Sequence, residues 1–338
     1  MFSAVIHLLQ HYYSYYIIII DMNEFHTFLL CIGGIFLLAF LYGIFYSKHA
    51  TIMNPFLDKH LLERGLSKPI LWLYYNNSDV NQRLWDDFGA GNSRALNVPF
   101  LNLCYERIVA LNHNEYQIRT IAGLTGLAAL LGASALPEDL QNPIAPVNHA
   151  EMNWIRAAVL AQYGGLWVSP YIVPLKPFGV LPADKVVFFG TDKNETYSGS
   201  TGTAAPGFNV LWVPVKQHPM LVEWAAVCRD RIEKKRGGQH IRRDENWDFV
   251  RFSSEYGGIM VDPHAELSRK EDGKRLQLED LLASGIDGKV PFVVYPHSVY
   301  VPYSYVELRD RSMFGWFLRM SEEQIMESDL SVTALLRK

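Results

Sequence analysis

The densest set of chemically useful side chains in this sequence runs from Asn153 to Lys176-Pro177. Arg156 stands three residues after Asn153 and eight before Gly164-Gly165, and Trp167, Ser169 and Tyr171 follow closely. A guanidinium is a permanently charged planar fork suited to phosphate or carboxylate. The Asn153 amide hydrogen-bonds without carrying charge, and the hydroxyls of Ser169 and Tyr171 are poor substitutes for carboxylates around a hard cation. Two adjacent glycines let a chain turn sharply out of a helix. Each feature also has an ordinary reading when taken alone. Arg156 is then a surface arginine on an amphipathic helix, Gly164-Gly165 a helix terminator, and Trp154 and Trp167 core residues.

Spacing sets the stretch apart. It reads Asn153-Trp-Ile-Arg156, then Leu160, then Tyr163-Gly-Gly-Leu-Trp-Val-Ser-Pro-Tyr-Ile-Val-Pro-Leu-Lys-Pro-Phe178. This resembles the pattern S-D-x-x-R, Y-G-G-x-[YW]-x-D-x-[DT], K-P-[LF] of the DXD-motif glycosyltransferases, the capsular polysaccharide synthesis and mannosyltransferase-like families. The resemblance covers roughly residues 69–229, with its specificity in Arg156, Gly164, Gly165, Trp167 and Lys176-Pro177. It implies a GT-A-like nucleotide-binding domain with a mostly parallel sheet. The implied activity is transfer of a sugar from a nucleotide-sugar donor to a glycan or polysaccharide acceptor. By the same resemblance Arg156 contacts the donor, Trp167 packs at the nucleotide or its loop, and Asn153, Gly164, Gly165, Ser169 and Tyr171 complete the donor site.

Breaking the bond to a nucleoside diphosphate builds negative charge on the leaving group, which a carboxylate-held Mg²⁺ or Mn²⁺ usually neutralises. Here the motif departs from the family. Ser169-Pro170-Tyr171 replaces the carboxylate pair, and Asn153 replaces the expected aspartate. Mn²⁺ or Mg²⁺ is therefore expected only if carboxylates outside the motif replace Ser169 and Tyr171, the candidates being Asp192, Asp244, Glu245 and Asp248. Lys193 and Arg242 are further candidate phosphate partners, and His297 follows an expected strand where related enzymes often carry donor-site residues. Two readings stand: a transferase working without the usual metal pair, and a catalytically inactive relative acting as a membrane-tethered binding or scaffold protein.

These residues need elements to position them. Residues 69–75 are apolar and β-prone, 101–111 form an amphipathic helix, and 116–121 read as a second strand, together a parallel βαβ unit. After the apolar 124–136 and a proline-bearing loop at 137–146, residues 150–163 read as a helix ended by Gly164-Gly165. Strands are expected at 166–168, 185–189, 208–213 and 291–295, helices at 220–235 and 276–283, and a flexible loop at 199–207.

The rest of the chain constrains the setting. With 20% charged residues, a net charge of −4 and only short basic runs at 234–236 and 242–243, no basic face for nucleic acid is expected. The three cysteines give no zinc spacing, and with Cys31 in an apolar segment, Cys104 and Cys228 are the one pair open to a disulfide. Residues 27–46 are twenty in number and uncharged, long enough at about 1.5 Å rise per residue to span a bilayer. The expected organisation is an apolar segment at 1–26, a transmembrane anchor at 27–46, a linker at 47–68 and the catalytic-type domain at 69–338. Residues 4–20 are open between a second span, an interfacial helix and a leader before Met22. Lys48, Lys59, Arg64 and Lys68 follow the span whereas only Asp21 and Glu24 flank it before, which places the large domain in the cytosol, with a Golgi-lumenal arrangement as the alternative. Expected partners are a nucleotide-sugar donor, a glycan acceptor and membrane lipid.

Overall fold

A computed structural model describes residues 68–76, 98–141, 147–191, 206–236, 246–285 and 289–338. The segment 27–46 lies outside these. Among the described residues, no helix is long and apolar enough to cross a membrane.

The chain enters strand β1 (Ile70–Tyr75), crosses through α1 (Pro99–Asn112), and returns parallel to β1 as β2 (Gln117–Ala122). Pro99 at the first turn suits a helix start, because its missing N–H would have no partner there. Next come α2 (Gly123–Leu131), the single turn α3 (Glu138–Gln141) and α4 (His149–Tyr163). The segment from β3 (Gly165–Val168) and β4 (Ile172–Pro174) leads through β5 (Val186–Phe189) and β6 (Val210–Val213) to α5 (Pro219–Arg236), α6 (Asn246–Tyr256) and β7 (Ile259–Asp262). The C-terminal part carries α7 (Leu278–Leu282), β8 (Tyr300–Pro302), α8 (Tyr305–Asp310), α9 (Gly315–Leu318), α10 (Glu322–Glu327) and α11 (Ser331–Leu336).

The sheet order is β2-β1-β3-β6-β5-β7. The pairs β1–β2, β1–β3 and β5–β7 are parallel, while β6 runs against both β3 and β5. The architecture is therefore α/β with a mostly parallel six-stranded sheet. In β1, Trp72 and Tyr74 join the main apolar cluster with Trp154, Leu160, Phe188, Trp224 and Phe249, while the alternate residues Leu71, Leu73 and Tyr75 are equally buried. Both faces of the strand are thus covered, as parallel sheets require. A separate two-stranded ribbon pairs β4 antiparallel with β8.

One expectation needs correction. Residues 291–295 form no strand, and Val293 there is 39% exposed. The β-prone run finds no partner, and pairing falls instead to Tyr300–Pro302, which lies against β4. Cys104 and Cys228 are both buried and unbridged. Burial pushes the Cys104 thiol up to about 12, beside the Tyr303 hydroxyl.

Candidate functional site

Helix α4 begins with a reciprocal cap: Glu151 N–H donates to Asn148 Oδ1 at 3.1 Å, and Asn148 N–H donates to Glu151 Oε2 at 2.8 Å. It ends where Gly164 N–H reaches Leu160 O at 2.8 Å. From there the chain passes directly into β3, as the glycine pair led us to expect. Gly165 has φ of +99°, and a Cβ built on it would lie 2.4 Å from Ile70 O. A side chain would therefore push β3 off β1. Gly164 (φ +66°) places its carbonyl under the Trp72 indole, which donates to it at 2.9 Å. The two glycines thus set the path of the chain and do not line the site.

Where β3 emerges, a cleft of about 290 Å³ opens. Its walls come from α4 (His149, Met152, Arg156), the carboxyl ends of β1 and β3 (Tyr74, Trp167), and the turn Ser169-Pro170-Tyr171. Thr191 beyond β5 and Gly207, Phe208 and Asn209 before β6 close the other side. The parallel strands β1, β3 and β5 bring their carboxyl ends to it, through Tyr74, Trp167 and Thr191. Between β1 and β3 the strand order changes direction, with β2 on one side of β1 and β3 on the other. In open α/β sheets such a switch point is where ligands bind.

Arg156 is 7% exposed. Its guanidinium carbon sits 5.6 Å from the Trp167 ring centroid and 5.5 Å from that of Phe208. Such cation–π contacts contribute roughly 0.5–2 kcal/mol each and here define a slot for the guanidinium. Arg156 also donates from NH1 to Asn153 Oδ1. Asn153 is fully buried, and its amide nitrogen lies 3.3 Å from His149 Nδ1. Of the expected donor-site residues, Arg156, Trp167, Ser169 and Tyr171 therefore meet in one cleft, and Asn153 stands behind Arg156 and holds it.

Ser169 and Tyr171 are committed to the protein. Tyr171 N–H donates to Ser169 Oγ at 3.3 Å, and Asn76 Nδ2 donates to the Tyr171 hydroxyl at 3.1 Å. The Tyr171 ring stacks on Tyr305, 5.0 Å between centroids and 5° from parallel. A hydroxyl and a phenol so engaged do not fit a hard divalent cation, which takes several oxygen ligands and favours carboxylates. Among the described residues, no three His, Cys, Asp or Glu side chains are grouped to hold a metal, and no carboxylate lines the cleft.

The other candidates fall elsewhere. Asp248 is buried in a two-pronged pair with Arg231, at 2.5 and 2.9 Å, so it serves the helix packing and no metal. Asp192, Lys193, Arg242, Asp244 and Glu245 lie outside the described residues. His297 stacks on Tyr295 and meets His264 edge-on, away from the cleft lining. Lys176 donates from Nζ to Pro296 O, which ties the end of the motif to that same turn. Sequence reasoning missed Phe208 and Asn209 in the cleft wall and the buried Glu266 behind Asn209. A glutamate between the apolar Ala265 and Leu267 was the one available signal for the last of these.

In comparisons with known proteins, the sequence matches no family model and no curated protein.

Proposed function

We propose that this is a membrane-anchored glycosyltransferase-like protein whose cleft takes a nucleotide-sugar donor, with a glycan or polysaccharide as acceptor. One observation carries the reading: Arg156, Trp167, Ser169 and Tyr171 converge on a single cleft at the carboxyl ends of the parallel strands, at the switch point of the sheet. A mostly parallel sheet with one reversed strand is consistent with a GT-A-like domain. In this reading the Arg156 guanidinium, braced by Asn153 and two aromatic rings, meets the diphosphate and stabilises the charge that grows on it as the sugar leaves. The aromatic lining from Tyr74, Trp167, Tyr171 and Phe208 supplies apolar faces and excludes water.

The donor set at Ser169 and Tyr171 favours a second reading, a non-catalytic relative that binds or scaffolds at the membrane. The experiment is a thermal-shift panel of UDP-, GDP- and CMP-sugars on the full chain in detergent, with Mn²⁺ and with EDTA. Stabilisation by a nucleotide sugar that EDTA does not remove is the expected result. Arg156→Ala should weaken that binding about 10- to 100-fold, the size of a lost charge-assisted contact to phosphate. Binding without transfer to any glycan supports the second reading. No binding by any of the sugars overturns the donor-site assignment.

A further inference from the structure

Asn209 separates the cleft from a buried polar pair. Behind it, Glu266 is 5% exposed, and its Oε2 lies 2.8 Å from the fully buried Tyr300 hydroxyl, whose one hydrogen is shared between this oxygen and Phe189 O. Asn209 Nδ2 donates to the same oxygen at 3.3 Å. Room for the pair is kept by Gly190, whose φ is +112° and where a Cβ would come within 2.7 Å of Glu266 Oε2 and 3.1 Å of the Tyr300 hydroxyl. The main chain of Asn209 is held as well, since its carbonyl accepts from Ser169 N–H at 2.7 Å.

This arrangement decides which way the Asn209 amide faces. A carboxylate is an acceptor, so the amide must turn its NH₂ toward Glu266. The amide is planar, so its oxygen is carried to the opposite side, away from the buried pair. Asn209 lines the cleft, and its Oδ1 accepts no hydrogen bond from any described residue. Trp167 lines the same cleft, and its indole N–H is buried without a hydrogen-bond partner among the described residues. The indole N–H is enclosed and out of a ligand's reach, so the cleft offers a ligand one fixed acceptor, and only a group with its own hydrogen, such as a hydroxyl, can answer Asn209 Oδ1.

We propose that Asn209 reads a sugar hydroxyl of the bound ligand through Oδ1, and that Glu266 with Tyr300 is the positioning pair that fixes its amide. The inference rests on the nucleotide-sugar reading of the cleft and specifies what the cleft recognises. The hydroxyl belongs either to the ribose or to the transferred sugar.

The test measures affinities of the full chain in detergent for four probes: the nucleotide sugar bound best in the panel above, its parent nucleotide, the 2′-deoxy form of that nucleotide, and inorganic pyrophosphate, which has no sugar hydroxyl. Asn209→Ala should weaken the nucleotide sugar about tenfold and leave pyrophosphate unchanged, the size of one hydrogen bond lost. An equal loss for the parent nucleotide that its 2′-deoxy form does not show assigns the ribose, an equal loss for both forms assigns the base and overturns the sugar assignment, and a loss for the nucleotide sugar alone assigns the transferred sugar. Glu266→Gln keeps the volume but gives position 266 an NH₂ of its own, which unlocks the amide. It should show a smaller loss with the same selectivity. A purely structural role would lower the melting temperature without changing the ratio of nucleotide-sugar to pyrophosphate affinity. If the wild type binds a nucleotide sugar and neither variant moves that ratio, this inference falls and the donor-site reading stands. If the wild type binds none of the panel, both fall.

Discussion

Restoring carboxylates at positions 169 and 171 tests the residue-scale account of the metal motif. Ser169 and Tyr171 follow β3 directly, so the double change Ser169→Asp with Tyr171→Asp places two acidic groups at the mouth of the cleft. Isothermal titration should then detect Mn²⁺ binding that the wild type lacks, removed by EDTA. Tight Mn²⁺ binding by the wild type would show that carboxylates elsewhere had rebuilt the site. The cost is the stacking of Tyr171 on Tyr305 and its bond from Asn76, roughly 1–2 kcal/mol of stability. Cys104 supplies a second test at this scale. Its thiol is raised by burial from 9.0 to about 12. Below pH 9 the thiol is protonated in both folded and unfolded chains, and its contribution is complete. Between pH 9 and 12 only the unfolded chain ionises, so stability is lost as pH rises. The melting temperature should fall across that window, and the fall should be shallower in Cys104→Ala. It will not vanish, because burial also raises the Tyr300 and Tyr303 hydroxyls.

At the scale of elements, the join between α4 and β3 sets what the rest can do. Gly165→Ala brings a methyl group to within 2.4 Å of Ile70 O on the neighbouring strand, in a backbone conformation that already disfavours it. Gly132→Ala has a similarly positive φ of +90° but open space around it. Denaturant unfolding should therefore show a loss of about 1–2 kcal/mol for Gly132→Ala, from the backbone alone, and roughly twice that or more for Gly165→Ala. Equal losses would mean that β3 can shift off β1 at little cost. The same join explains what was legible in the sequence. Strands β1, β2, β3, β5 and β6 and helices α1, α4 and α5 announce themselves by apolar runs, periodicity and caps close to hand. Arg156, Trp167, Ser169 and Tyr171 come together because one helix, one turn and one strand carry them all. Strands β4 and β8 gave no such sign: each is three residues long and contains or ends in proline, and each exists only through the other. Glu266 and Asn209 were missed for the same reason, since their partnership is made by folding and not by spacing.

For the whole molecule, the uncharged segment 27–46 should decide where the protein works. The full chain should stay with membranes after a carbonate wash, and a chain beginning near Lys48 should be released. Release of the full chain would remove the anchor. Protection of the large domain from protease in sealed cytosol-side-out vesicles would reverse the cytosolic placement drawn from the flanking charges.

The ribbon of β4 and β8 has a consequence for how the protein is made. All six strands of the main sheet are complete once Asp262 has been synthesised, whereas Tyr171 waits for Tyr303 N–H to reach its carbonyl at 3.2 Å, and Glu266 waits for Tyr300. On the ribosome the sheet can therefore close early, while the floor of the cleft is finished only when a late segment folds back over a long loop. A chain stopped between Asp262 and Tyr300 would keep every strand of the sheet and still lack the support of Tyr171 and Asn209. Loss of the residues after Asp262 would leave the six strands in the chain, yet uncover Phe100, which packs on Tyr303 and Phe317, and strip β4 of its partner strand.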